Sequence, residues 1–219
     1  MRPVPEIYIP FNFGRLEKFL KMIETRGVRS GSSLDAALIF PMLVYLFKAD
    51  VCIDLGVYKG FTSLILAESM TQQFKRSTLI SFDCDNQSLR HLGRCLRPRR
   101  NFKFIPVKGF SGRNKLSITC KKNRLVGKVR LVHIDGCHKH DEVLLDLTET
   151  LPLLAEDGVI VCHDYCKWEN HDVVGAVDEF AELHKLQKFV LPNLRGAAYV
   201  VLRRNLYDYP YSGLVERVL

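Results

Sequence analysis

A chain of 219 residues is long enough for one domain with a full three-layer core, and 47% apolar beside 26% charged residues excludes a disordered, fibrous or low-complexity protein. The formal net charge of +8 points to an anionic partner, nucleic acid among the classes it allows, and the sequence is compatible with a homo-oligomer. Residues 1–6 carry no apolar signal-peptide core, and the most apolar stretch, Leu34–Phe47, is shorter than the roughly 20 residues a spanning helix needs. The expectation is a cytoplasmic protein with no transmembrane segment.

Residues 1–48 read as helical. Leu16, Phe19, Leu20 and Ile23 recur at helical spacing, and Ser32-Ser33 offers an N-cap before a second, apolar helix that Pro41 should kink. From residue 49 to 205 short apolar runs alternate with helical segments. The runs are Val51–Leu55, Leu79–Phe82, Phe102–Val107, Val129–Ile134 and Val159–Cys162. The helices between and after them fall near Phe61–Gln72, Gln87–Leu96, Asp141–Leu154 and Asp172–Leu186. Lys188–Leu191 and Ala197–Leu202, around Pro192 and Gly196, read as a closing antiparallel hairpin, and residues 206–219 as a tail. Runs that are apolar throughout belong to strands covered on both faces. The whole is therefore a single α/β domain of the Rossmann-like, doubly wound kind, with a mostly parallel sheet.

Such sheets bind ligands at the carboxyl ends of their strands, which directs attention to the residues just after each run. Gly56 and Gly60 follow the first, within Asp54-Leu55-Gly56-Val57-Tyr58-Lys59-Gly60-Phe61-Thr62-Ser63, where glycine lets the backbone turn tightly and approach a ligand. The dinucleotide and P-loop patterns are absent. Asp83 ends the second run and can accept ribose hydroxyls; Asp85 or Asn86 beside it suits a helix cap. Phe110 and Ser111 follow the third. After the fourth stand Asp135 and His138, and after the fifth His163 and Asp164. Two carboxylates with histidine can hold a hard divalent cation, and a further histidine can act as a base. Capping aspartates and packed histidines are the plainer alternative.

The seven cysteines are odd in number and irregularly spaced, as expected of reduced thiols in a cytosolic protein. Cys137, Cys162 and Cys166 with His138 and His163 lack the paired close spacing of a structural zinc site. A basic run, Arg94–Lys103, reads as a solvated loop or as a patch for an anionic partner.

Over residues 50–203 the segments Cys52–Gly60, Ile134–His138, Gly158–Tyr165 and Val174–Phe180 together resemble the class I S-adenosylmethionine-dependent methyltransferases. Within that class the sequence is similar to the small-molecule O-methyltransferase group that includes macrocin-type sugar O-methyltransferases and cephalosporin-hydroxylase-like proteins. The resemblance implies S-adenosylmethionine as cofactor. Gly56 and Gly60 would face its methionine part, Asp83 its ribose, and Phe110 with Ser111 its adenine, with Asp54, Tyr58 and Thr62 counted among the cofactor-binding residues. It also implies Asp135 and Asp164 as ligands of magnesium or another divalent cation, with His163 as a further ligand. The sugar-methylating members carry an acid at that last position. His138 would be the general base, with Asp135 beside it in catalysis. The implied reaction moves a methyl group from the sulfonium to a small-molecule or sugar hydroxyl, the helical residues 1–48 forming a lid over the acceptor.

Two alternatives stand beside this reading. One is an RNA methyltransferase using the basic surface, although the Lys-Asp-Lys-Glu tetrad of ribose methylation cannot be placed at the strand ends. The other is a non-catalytic binding module with a cofactor fold.

Overall fold

A computed structural model describes residues 33–96, 100–111, 114–166, 171–192 and 198–204. The expected helix over Phe13–Ile23, the rest of the N-terminal lid before residue 33, and the tail 206–219 lie outside the described residues.

Seven strands form one sheet: β1 (Val51–Leu55), β2 (Ser77–Asp83), β3 (Phe102–Lys108), β4 (Val129–Ile134), β5 (Leu154–Cys162), β6 (Leu186–Pro192) and β7 (Ala198–Arg204), in the order β3-β2-β1-β4-β5-β7-β6. The first five are parallel, and β7 is antiparallel to both β5 and β6. Chain direction across the sheet reverses between β1 and β4, the position at which such sheets open a ligand crevice. The helices are α1 (Ser33–Leu46), α2 (Phe61–Gln73), α3 (Asn86–Cys95), α4 (Lys115–Lys122), α5 (His140–Thr150) and α6 (Val173–Leu183).

Alternation along the strands divides the core in two. Cys52, Leu79, Leu131, Val159, Val161 and Val201 pack with α1, α2 and α3. Their sequence neighbours Val51, Ile53, Ile80, Val132, Ile160 and Val200 point the other way, towards α4, α5 and α6. All five residues of β1 are buried, as expected of a strand covered on both faces. Helix α1, with Pro41 inside it, buries Ala36, Ala37, Phe40, Leu43 and Val44.

Two expectations are corrected. The helix predicted to run to Leu154 ends at Thr150, a single 3-10 turn with Pro152 in it follows, and residues 154–158 belong to β5. Proline cannot continue the helical hydrogen-bond ladder, and the β4–β5 pairing shifts register between Val129 and Leu131 to take in the extra length. A Cβ on Gly158 would lie 2.7 Å from the Val129 carbonyl oxygen, so the shift needs glycine there. Helix α4 was not anticipated: only Leu116 and Cys120 of its eight residues are buried, too weak a periodic signal.

A polar network crosses the first core. The carboxylate of Asp54, fully buried on β1, accepts a hydrogen bond from Ser63 Oγ on α2 and pairs with His133 Nδ1 on β4 at 2.8 Å. Ser63 Oγ also lies 3.0 Å from Ser81 Oγ on β2, and the rings of Phe40 and Tyr199 close over His133. The network locks β1, β2, β4 and α2 together directly beneath the strand ends. His133→Ala would leave the Asp54 carboxylate buried with Ser63 as its one remaining partner. It should lower unfolding free energy by about 3–5 kcal/mol, read from urea titration.

On the other side, Asp146 of α5 accepts from Ser111 Oγ, both side chains being buried. Burial pushes the Asp146 carboxyl up to about 6, outweighing the Ser111 hydrogen bond, with Glu142 and Glu149 adding to the rise. The folded state therefore holds this proton more tightly than the unfolded chain. Stability is greatest below the ordinary carboxylate value of about 4 and falls as pH rises to 6, by roughly 2–3 kcal/mol in all. Asp146→Asn should raise the melting temperature at pH 8 and leave it nearly unchanged at pH 4.

Candidate active site at the strand ends

The turn after β1 is held open from two sides. Gly56 has φ +98°, and a Cβ there would fall 2.1 Å from the main-chain oxygen of Asp135, so glycine alone lets the end of β4 close against this turn. Tyr58 and Gly60 also take left-handed conformations, with φ 47° and 81°. Asp83 fastens the turn to β2: its Oδ2 accepts from the N–H groups of Val57 at 2.9 Å and Tyr58 at 2.8 Å, and its Oδ1 from Asp85 at 2.7 Å. A carboxylate has about four acceptor positions, so roughly one remains for a ligand hydroxyl rather than the two expected from sequence. Asp85 is the N-cap of α3, accepting from Gln87 and Ser88.

Other predicted cofactor residues fall in different places. Tyr58 and Phe110 are strongly exposed aromatics; the Tyr58 N–H donates to the Asp83 carboxylate and the Gly109 N–H to the Asp83 main-chain oxygen. Thr62 is half-buried in the first turn of α2. Asp54 and Ser111 point their side chains inward. The Asp54 carboxylate is wholly enclosed by Ser63 and His133, and the Ser111 hydroxyl is turned inward to Asp146. Neither side chain reaches the crevice, because each satisfies a buried partner beneath it.

The ends of β4 and β5 converge. The backbone ladder runs past the strands, Asp135 N–H donating to Leu55 O at 2.8 Å and His163 N–H to Ile134 O at 3.0 Å. One donor atom from each of Asp135, His163 and Asp164 lies within 4.8 Å of the others, and so does one from each of His138, Asp164 and His171. His163 Nδ1 is 3.2 Å from Asp135 Oδ1 and 3.1 Å from Asp164 Oδ1; His138 Nε2 is 3.1 Å from Asp164 Oδ2 and 3.6 Å from Asp135 Oδ1. Despite these approaches, His138 Nε2 and Asp164 Oδ1 are buried atoms with no aligned hydrogen bond. Asp164 takes a left-handed φ of 53°, a strained backbone of the kind that collects at functional sites. The crowding is that of histidine–carboxylate ion pairs, His163 Nδ1 being hydrogen-bonded to Asp135 Oδ1, and the same donor atoms are close enough together to hold a cation.

Burial would raise the Asp135 carboxyl, but contact with His138 and His163 outweighs it and brings the group down to about 2. Asp164 is likewise carried well below the usual carboxylate range by the same histidines, against burial. Contacts with Asp135 and Asp164 push His138 up to about 10, and, against burial, push His163 up to about 9. Flanked by two carboxylates, His138 holds its proton at neutral pH.

Sequence reasoning missed His171. It lies just before α6, its ring stacked on that of His138 at 4.5 Å and 9°, and the neighbouring Asp172 N–H donates to His138 O at 2.9 Å. Nothing local marks it, since no periodicity links residue 171 to a strand end. The described part of the basic run is elsewhere. Asn101 O accepts from Ser77 N–H at the start of β2, so exposed Arg100 and Lys103 sit at the amino edge of the sheet, opposite this site. Among the described residues no helix is long and apolar enough to cross a membrane.

No curated protein matches the chain by sequence. The fold is that of many solved structures. An O-methyltransferase from Bacillus cereus, in complex with SAH, aligns with TM-score 0.63 and 14% identity over 90% of this chain and 94% of its own. An SAH-bound methyltransferase from Podospora anserina aligns with TM-score 0.59 and 16% identity, over 94% and 98%. The O-methyltransferase TomG from Streptomyces achromogenes, in complex with SAM, gives 0.56 and 14% over 87% and 89%. At such identities the likeness is one of fold. A family model for a methyltransferase domain matches residues 53–165, from the middle of β1 through the Asp135 and Asp164 cluster, and by that match the chain belongs to the methyltransferase-domain family.

Proposed function

We propose that this chain transfers a methyl group from S-adenosylmethionine to a hydroxyl oxygen of a small-molecule acceptor. The observation that carries the reading is the convergence of Asp135, His138, His163 and Asp164 beside the Gly56–Gly60 turn, at the reversal point of a methyltransferase-domain sheet. That the Bacillus cereus and Streptomyces achromogenes O-methyltransferases were crystallised with SAH and SAM supports the choice of cofactor.

The residues suit their parts. Helix α2 starts at the turn, so its first N–H groups face the crevice and can receive the carboxylate of the methionine moiety. Asp83 keeps an acceptor position for a ribose hydroxyl, and the exposed rings of Tyr58 and Phe110, on the segments bonded to Asp83, offer flat apolar surface for a purine. Asp135, Asp164 and His163 would hold a divalent cation, whose contribution is to polarise the acceptor hydroxyl. Asp135 and His138 keep about a quarter of their side-chain surface open, so the acceptor can reach the cluster from the crevice. None of the seven cysteines forms a disulfide, which supports a reducing compartment.

Calorimetry with S-adenosylmethionine tests the cofactor. Asp83→Ala should weaken binding by about 1.5–3 kcal/mol and also lower the melting temperature, because the Val57–Tyr58 turn loses its anchor. No heat of binding at millimolar cofactor would overturn the reading. A labelled methyl-transfer screen over sugars, catechols and RNA, with and without divalent cations, should give turnover on a hydroxylated small molecule and none on RNA.

A further inference from the structure

The amino edge of the sheet, opposite the candidate active site, carries a basic cleft that methyl transfer does not use. We propose that this cleft binds the phosphate group of a small anionic molecule, as a site separate from the cofactor crevice. Phosphate binding there is independent of the proposed function and can be measured without cofactor or acceptor.

The cleft, of about 500 Å³, lies where β1, β2 and β3 begin. Its size is that of small-molecule sites. Parallel pairing sets Ser77 beside Phe102 and Thr78 beside Lys103, which brings Arg76 and Arg100 together at one rim. Neighbouring strands stand about 4.8 Å apart, so guanidinium groups on adjacent strand starts can reach one anion. Arg76, Arg100 and Lys103 are all exposed. Neither arginine pairs with a carboxylate among the described residues, and Lys103 Nζ donates to a neutral group, Asn123 Oδ1, at 2.9 Å. The planar fork of arginine matches the oxygens of a phosphate.

The floor of the cleft supplies an independent observation. Its backbone is satisfied, Ser77 N–H donating to Asn101 O at 3.0 Å and Thr78 N–H to Asp50 O at 2.8 Å. The Ser77 hydroxyl is not. The residue is 6% exposed, and its Oγ has no hydrogen-bond partner among the described residues. The buried serines Ser63, Ser81 and Ser111 all have partners. A buried hydroxyl left unpaired is costly, and a phosphate oxygen seated in the cleft would accept from it.

The surrounding charge favours a small anion over a polymer. Asp50 is the one acid lining the cleft, and it lies 3.6 Å from Arg130 Nε. Arg130 also donates to both oxygens of Asp157, at 2.7 and 2.6 Å, so Asp50 and Asp157 interrupt the basic surface on that side. A nucleic-acid strand needs a continuous basic track with aromatic platforms, whereas these basic side chains gather at one rim. From Ser77 to Asp83 the length of β2 is about 20 Å, too far for one small molecule to fill both the cleft and the crevice.

Calorimetry with inorganic phosphate and with phenyl phosphate, at fixed ionic strength and without cofactor, should give one site for each. Tighter binding of phenyl phosphate marks an organic phosphate as the ligand, and equal affinity marks the free ion. Arg76→Ala and Arg100→Ala should each weaken binding at least about fivefold. Ser77→Ala should weaken it about threefold and leave the ligand-free melting temperature unchanged or higher, because the hydroxyl has no partner to lose. Arg90→Ala, on α3 and outside the cleft, should bind as the wild type does. Saturating phosphate should not alter the affinity for S-adenosylmethionine. No binding at millimolar phosphate, unchanged binding in both arginine variants, or competition with S-adenosylmethionine overturns the proposal. A long oligouridylate that binds with steep salt dependence while neither phosphate probe binds would overturn it in favour of a nucleic-acid surface. Phosphate binding by a chain that binds no cofactor would leave this site standing and overturn the proposed function.

Discussion

Two backbone hydrogen bonds beyond the ends of the strands govern the site: Asp135 N–H to Leu55 O, and His163 N–H to Ile134 O. They extend the parallel pairing of β1 with β4 and of β4 with β5 by one rung, past the point where the chain would otherwise diverge. Because side chains alternate along a strand, this register decides which residues face the crevice. Ile134 and Cys162 turn into the core, and Asp135 and His163 come out at its edge. A slip of one residue in either pairing would bury a carboxylate or expose an isoleucine. The close fit of Gly56 against the Asp135 carbonyl makes such a slip harder still, since it fixes the spacing of β1 and β4 at that point.

Beneath this rung the molecule uses buried polar groups to hold the elements in place. Asp54, His133, Ser63 and Ser81 join three strands and a helix through side chains that never see solvent. Such a network is costly to leave partly satisfied and therefore favours one arrangement of its members. Asp83 anchors the Val57–Tyr58 turn through one carboxylate oxygen and the start of α3 through the other.

The electrostatics of the upper cluster follow from its crowding. Two carboxylates and two imidazoles within a few ångströms stabilise each other's charged forms, which keeps both histidines protonated when no ion is present. An ion entering the cluster would take over the carboxylates and exchange with those protons, the usual linkage of metal binding to proton release.

The sequence by itself determined the α/β class, the bounds of β1 and β4, the closing hairpin and the four residues at the ends of β4 and β5. These follow from runs of apolar residues and from what stands immediately after them, and such signals are local. That the Asp54 and Ser111 side chains turn inward was not legible, because burial depends on what packs beneath a strand end, and here His133 and Asp146 lie there, 79 and 35 positions away. His171 was invisible for the same reason: it meets His138 only because α6 packs beside α5 and brings the start of its own segment across the strand ends. That Asp135 and Asp164 come within 4.8 Å of one another was likewise decided by the register of β4 against β5, a long-range pairing that no local pattern encodes.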